Sequence, residues 1–282
     1  MTEKPDLDHL RQWIGRSTQA SDIVTAQLVK GLRATLFLDI GEPKAGDAAP
    51  FTTHWCLAQP VFPASELGPD GHPARGGFLP PVPLPRRMWA GGELEFVDTL
   101  RVGDEVTRTS RIKDVSLKTG STGVLCFVSV DHEIATPRGT AIRERQDIVY
   151  RDASPASAAP AKPAGPAPIA QHRETHFADT VLLFRYSALT FNGHRIHYDH
   201  DYVTKVEGYP GLIFHGPMQA ALLVEFAAKL RGTVPKKFIY RGVQPLFEGS
   251  EFSVNANQTD SGMDLWTANS TGQPTMKGTA TW

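Results

Sequence analysis

Residues 217–230 read PMQAALLVEFAAKL, and Arg231 and Gly232 follow. Proline at the first helical position and glycine just past the end punctuate an α-helix, because the first turn cannot use proline's missing donor and glycine tolerates the left-handed residue that closes the last turn. Within the segment only Gln219, Glu225 and Lys229 are strongly polar. A helix that apolar on most faces is buried against other structure. The residues that follow supply the covering surface. Lys237–Val243, Glu251–Gln258, Met263–Asn269 and Met276–Trp282 are rich in β-branched and aromatic side chains and are separated by turn residues, which reads as strands. The expected class is α+β.

The first part of the chain has a similar plan. Ser21–Leu38 carries helical periodicity, with Ser21 or Asp22 as the expected N-cap. Phe51–Pro85 is dense in proline and glycine and reads as a long irregular stretch. From Gly92 to Arg151, Val, Ile, Thr and Phe recur at period two with Gly and Asp breaks, the pattern of an antiparallel meander. Between the halves, 154–170 reads SPASAAPAKPAGPAPIA. Such a segment has too little apolar surface to offset its ordering entropy and reads as an extended linker. The expected division is 1–153, a linker over 154–170, and 171–282. An antiparallel sheet wrapped around a long helix is the hotdog plan, so the whole is expected to be a double hotdog.

Composition narrows the function. The 282 residues hold 29 Lys and Arg against 30 Asp and Glu, a net charge of −1. Nucleic acid and anionic membranes reward a large positive excess, so neither is expected as a partner. No apolar run approaches the roughly 20 residues that span a bilayer, and the polar start of the chain resembles no signal peptide. Two cysteines, Cys56 and Cys126, make no disulfide framework. The expected compartment is the cytoplasm.

Residues 187–217 hold most of the chemistry, SALTFNGHRIHYDHDY and then GYPGLIFHGP. Four of the ten histidines lie here: His194, His197, His200 and His215. Three readings compete. They are ordinary polar loop residues, or metal ligands, or acid–base groups near neutral pH assisted by the neutral amide of Asn192. Against a metal, three residues turn a helix by roughly 300°, so His194 and His200 diverge by about 120°; the expectation is no metal. Asp199 reads as the N-cap of a short helix after His197. Tyr198, Tyr202 and Phe214 read as packing groups, and Trp55 and Trp89 as anchors of the first half.

Asn192-Gly-His-Arg-Ile-His197-Tyr-Asp, with Gly211-Leu-Ile-Phe-His-Gly216-Pro, resembles the hydratase motif of the MaoC-like hotdog enzymes. More narrowly it resembles the type 2 hydroxyacyl-thioester dehydratases and the mesaconyl-CoA or itaconyl-CoA hydratases. Pro80 to Gly92 and Glu95 to Asp104 resemble the non-catalytic first hotdog of the same proteins. The resemblance implies water addition to, or removal from, an α,β-unsaturated acyl-CoA thioester, with no cofactor besides the thioester. It implies that His197 is the base, and that Asn192 holds water where the R-specific enoyl-CoA hydratases carry a carboxylate. Gly216 then supplies the backbone N–H that polarises the thioester carbonyl, a role that a helix start suits independently. Arg195, His215, Arg86 and Arg87 are candidates for substrate binding, with an internal ion pair as the alternative for Arg195 and a surface role for Arg86 and Arg87. A homodimer through edge strands is a further expectation.

No GxGxxG follows a strand, and GxxxxGK[ST] and GxSxG are missing, so glycine-loop nucleotide binding and serine hydrolysis have no support. Other readings stay open. A dehydratase of fatty-acid metabolism would use the same residues. A hotdog thioesterase would use Glu225, the carboxylate in the apolar helix. A binding protein without catalysis would explain Asn192 in place of aspartate.

Overall fold

The computed structural model describes residues 5–120, 123–152, 165 and 167–282. The first half runs α1 (Leu7–Arg11), β1 (Ser17–Ile23), α2 (Ala26–Thr35), a long loop, β2 (Arg86–Phe96), β3 (Glu105–Gly120), β4 (Gly123–Thr136) and β5 (Gly139–Arg151). The second runs β6 (His172–Phe177), α3 (Thr180–Leu189), α4 (Gly216–Arg231), β7 (Lys237–Gly242), β8 (Glu251–Thr259), β9 (Gly262–Asn269) and β10 (Pro274–Thr281). All ten strands form one antiparallel sheet in the order β1-β3-β4-β5-β2-β7-β10-β9-β8-β6. Outward from the β2–β7 seam the halves repeat one another: β2-β5-β4-β3-β1 on one side, β7-β10-β9-β8-β6 on the other. The topology is therefore a double hotdog.

Helix α4 forms where its punctuation predicts. Pro217 stands in its first turn, and Gly232 closes it at φ 78 with its N–H on the Ala228 carbonyl. Ten of its residues are buried, from Met218 to Ala228, under β7, β8, β9 and β10. Its side chains share one core with Val29 and Leu32 of α2, Leu183 of α3, and strand residues of both halves such as Leu94, Ile134, Phe238 and Val254. Each fully buried leucine contributes roughly 2 kcal/mol to that core.

The halves differ in what covers the sheet. Between α2 and β2 the first half has only two short 3₁₀ turns, Thr53–Cys56 and Ala64–Glu66, where the second half has α4. A loop lying on a sheet cannot satisfy its own polar groups as a helix does. Side chains take over. The buried Glu144 carboxylate accepts from Trp55 Nε1 at 2.9 Å and Gln146 Nε2 at 3.0 Å, and lies 3.2 Å from His54 Nε2. The Trp55 and Trp89 rings meet edge to face at 5.2 Å, as anchors of this half.

Several local expectations give way. Ser17–Ile23 is a strand paired with β3, so the helix expected over Ser21–Leu38 begins only at Ala26. Thr25 caps it by accepting from Leu28 N, while Asp22 accepts from Ile23 N and Ala58 N. Strand β2 starts at Arg86, before Gly92. Strand β6 and helix α3 were not expected. Most of the expected linker lies outside the described residues; of its last part, Ala167 N donates to Gly272 O and Ile169 O accepts from Asn257 Nδ2. No helix among the described residues is long and apolar enough to cross a membrane.

Candidate active site

Helix α3 ends in a turn with Phe191 in the left-handed region at φ 49, a costly conformation for an aromatic residue. The turn is held by Asn192 N on the Ser187 carbonyl at 2.8 Å. Asn192 Oδ1 then accepts from His194 N at 3.0 Å, which fixes the amide and leaves Nδ2 as its free donor. A 3₁₀ turn over Arg195–His197 follows. Asp199 caps the next turn by accepting from Tyr202 N, the structural role expected of it.

His197 is buried and donates Nδ1–H to the Ile213 carbonyl at 2.7 Å. That bond fixes the tautomer and leaves Nε2 with a lone pair. The ring stacks on His215 with centroids 3.7 Å apart and 19° between planes. His215 Nε2 is 2.9 Å from Ser187 Oγ, and the next residue, Gly216, begins α4. Burial pushes His197 down to about 4 and lowers His194 and His215 as well, so the imidazoles of this site are neutral at neutral pH. A neutral, oriented imidazole stacked against the residue that precedes a helix start can take a proton from a bound water.

The first half contributes a group that sequence reasoning missed. The loop at 68–72 lies on the turn over 192–197: Arg195 N donates to Asp70 O at 3.0 Å, and Arg195 Nη1 to Pro69 O at 2.9 Å. Asp70 accepts from His72 N and His72 Nδ1, both at 3.0 Å. The His72 ring lies 4.2 Å from that of His194, which stands edge-on to His197 at 5.6 Å. Asp70, His72 and His194 have metal-ligating atoms within 4.8 Å of one another, although both Asp70 oxygens already serve His72. His200, the other histidine of the 194–200 stretch, is exposed.

The candidate arginines separate. Arg195 pairs with Asp199 at 2.7 Å, the internal ion pair that was one of its two readings. Arg86 pairs with Glu207 at 3.1 Å and donates to the Glu207 carbonyl. Arg87 makes no ion pair with a described carboxylate, and its charge acts on Asp70, His72 and His194.

Glu225 accepts from Phe51 N at 2.8 Å, and burial pushes its carboxyl up from 4.5 to about 7. A raised carboxyl stabilises the fold while protonated, fully below the unfolded value, and that contribution is lost as pH rises through about 7. Glu225→Gln keeps an acceptor for Phe51 and removes the ionisation. It is therefore expected to stabilise the protein at mildly alkaline pH, by up to roughly 3 kcal/mol, and hardly at all in acid. Thermal melts at the two pH values check this; equal shifts at both would refute it.

Residues 52–248 match the model of the family described as hydroxyacyl-thioester dehydratase type 2. The chain is 41% identical over 253 residues to the mesaconyl-C(4)-CoA hydratase of Chloroflexus aurantiacus, covering 90% of each. It is 24% identical to the mitochondrial hydroxyacyl-thioester dehydratase type 2 of Schizosaccharomyces pombe, over 76% of this chain and 78% of the relative. Among solved structures, a MaoC-like dehydratase from Phytophthora capsici superposes with a TM-score of 0.70 at 14% identity, covering 99% of both chains. A Mycobacterium tuberculosis protein described as a double hotdog superposes at 0.54 with 11% identity, over 95% of both. Fold and motif agree along most of the chain, and the protein belongs to the hydroxyacyl-thioester dehydratase type 2 family.

Proposed function

We propose that the protein is a hydro-lyase that adds water across the α,β double bond of an acyl-CoA thioester, and that its substrate is a short branched acyl group with a free carboxylate, of the mesaconyl or itaconyl type. The observation that carries the reading is His197, buried and neutral, with Nδ1 tied to the Ile213 carbonyl, Nε2 left with its lone pair, and the ring stacked on His215 just before the start of α4. The substrate class rests on the relative named for mesaconyl-C(4)-CoA.

In this reading the thioester oxygen accepts from Gly216 N–H, where first-turn donors lack helical partners. Water oxygen bonds to the β-carbon and the π pair moves onto the thioester oxygen as an enolate. One such donor is worth roughly 3 kcal/mol in comparable sites. His197 Nε2 takes the water proton while Asn192 Nδ2 orients the water. The imidazolium then returns a proton to the α-carbon, so protons balance with no cofactor. Dehydration is the same path reversed, which keeps a 3-hydroxyacyl dehydratase as the second reading, favoured by the yeast relatives. A thioesterase centred on Glu225 is disfavoured. That residue lies nine positions beyond Gly216, about 13 Å along the helix, and holds Phe51. Two buried free cysteines and near-neutral charge suit a reducing cytoplasm.

The test is loss of enoyl-thioester absorbance on adding mesaconyl-C(4)-CoA, with a thiol reagent run in parallel. Hydration removes absorbance without releasing thiol; thiol release would mean hydrolysis. Asn192→Ala is expected to lower kcat at least about tenfold through lost water positioning, with no change in the ionisations of the pH–rate profile. An altered profile would give Asn192 a different role.

A further inference from the structure

A carboxylate on the carbon that water attacks must lie beside the groups that hold the water. The residue adjoining both is His194, whose backbone N–H binds Asn192 Oδ1 and whose ring stands edge-on to His197. Next to it, 4.2 Å away, is His72 from the other half of the chain. Its placement is built. Asp70 fixes the ring through Nδ1, Arg195 binds two carbonyls of the loop, and Gly71 meets Gly193 backbone to backbone, so closely that a Cβ on Gly193 would stand 2.8 Å from Gly71 O. With Nδ1 given to Asp70, the nitrogen His72 has left is Nε2. Arg86 and Arg195 already hold carboxylates of the protein.

On the hydratase reading above, we propose that His194 and His72, the latter backed by Asp70, form the subsite that receives the free carboxylate of the acyl group. To donate from Nε2 while Nδ1–H serves Asp70, His72 must carry both protons. In the empty site burial, Arg87 and Arg75 hold it neutral against the pull of Asp70, and His194 and His197 add no negative charge. An entering carboxylate supplies that charge, so binding takes up a proton. The first half thereby selects the substrate that the second half converts.

The experiment uses the full chain with mesaconyl-C(4)-CoA and crotonyl-CoA as reacting probes, and succinyl-CoA and butyryl-CoA as saturated ones. In His72→Gln the ratio of kcat/KM for the carboxylate probe over crotonyl-CoA is expected to fall about 30-fold or more, through KM. In the wild type, KM for the carboxylate probe rises with pH and that for crotonyl-CoA does not. Asp70→Asn keeps an oxygen for the backbone but stabilises imidazolium less, and should lower the ratio by a smaller factor. Equal losses on both substrates, or an unchanged ratio in both variants, overturn the subsite. So does wild-type preference for crotonyl-CoA, which leaves the hydratase reading standing. If neither enoyl probe is hydrated, that reading fails; calorimetric preference for succinyl-CoA over butyryl-CoA, with proton uptake and lost in His72→Gln, still supports the subsite. A preference erased by a chelator and restored by zinc would assign the three side chains to a cation and overturn it.

Discussion

His197→Gln is expected to lower kcat by at least about 10²-fold with a smaller change in KM. Glutamine can still donate to the Ile213 carbonyl and fill the space against His215, so the loss isolates the base. General base help of this kind is typically worth ~10²–10⁴ in rate, and an interaction made mainly in the transition state appears in kcat. The pH profile gives a second readout. His197 is active when neutral and is pushed down from 6.5 to about 4 by burial. Wild-type kcat/KM for crotonyl-CoA, which brings no carboxylate to His72, is therefore expected to hold through mildly acid pH and to fall as pH drops through about 4, with no limb near the ordinary histidine value. Near-wild-type turnover by a folded His197→Gln enzyme would remove the mechanism.

Gly71→Ala should be the most damaging change outside the 192–197 turn itself. Gly71 sits at φ 85, a conformation other residues rarely adopt, and a Cβ there would run into the Gly193 carbonyl. Neither side can yield cheaply, because both are backbone. The 68–72 loop must then lift from the 192–197 turn, breaking the Arg195 N to Asp70 O bond and carrying His72 away from His194. A loss of about 30-fold or more in kcat/KM on the carboxylate substrate is expected, with a cooperative melt retained since the core lies elsewhere. Hydrogen exchange at the backbone amides of 193–199 should quicken in parallel. Unchanged kinetics and exchange would show that the loop contact is dispensable.

What could be read from the string follows from how local each signal is. Helix α4 carries its own start, stop and apolar surface within 16 residues, and the strands that wrap it alternate within single elements. The candidate site residues Asn192, His197 and Gly216 could be singled out from the string because they lie close in sequence. Helix α3 escaped notice because apolar residues cover it without a clear polar face, and its cap, Asp179 accepting from Leu182 N, is a single residue. Ser21 and Asp22 imitate a cap, yet the pairing with β3 claims their backbone, a contact 86 residues away for Ser21 and Thr107. His72 was the hardest to see. It stands in a proline- and glycine-rich loop with no periodicity, and what gives it a role is the docking of that loop on a turn more than 120 residues later.

The single copy of the long helix has a consequence for how the two halves tolerate sequence change. Around α4 the sheet needs only apolar side chains of suitable volume, and such cores accept many exchanges among aliphatic residues. In the first half the covering loop relies on particular donors and acceptors: His54, Trp55 and Gln146 about Glu144. Deleting one member of a buried polar set leaves its partner unsatisfied, at a cost of about 1–3 kcal/mol. Drift should therefore be freer in the apolar positions of the second half. In the half without the long helix it should be restrained at a handful of polar ones, the reverse of what a division into working and scaffolding halves would suggest.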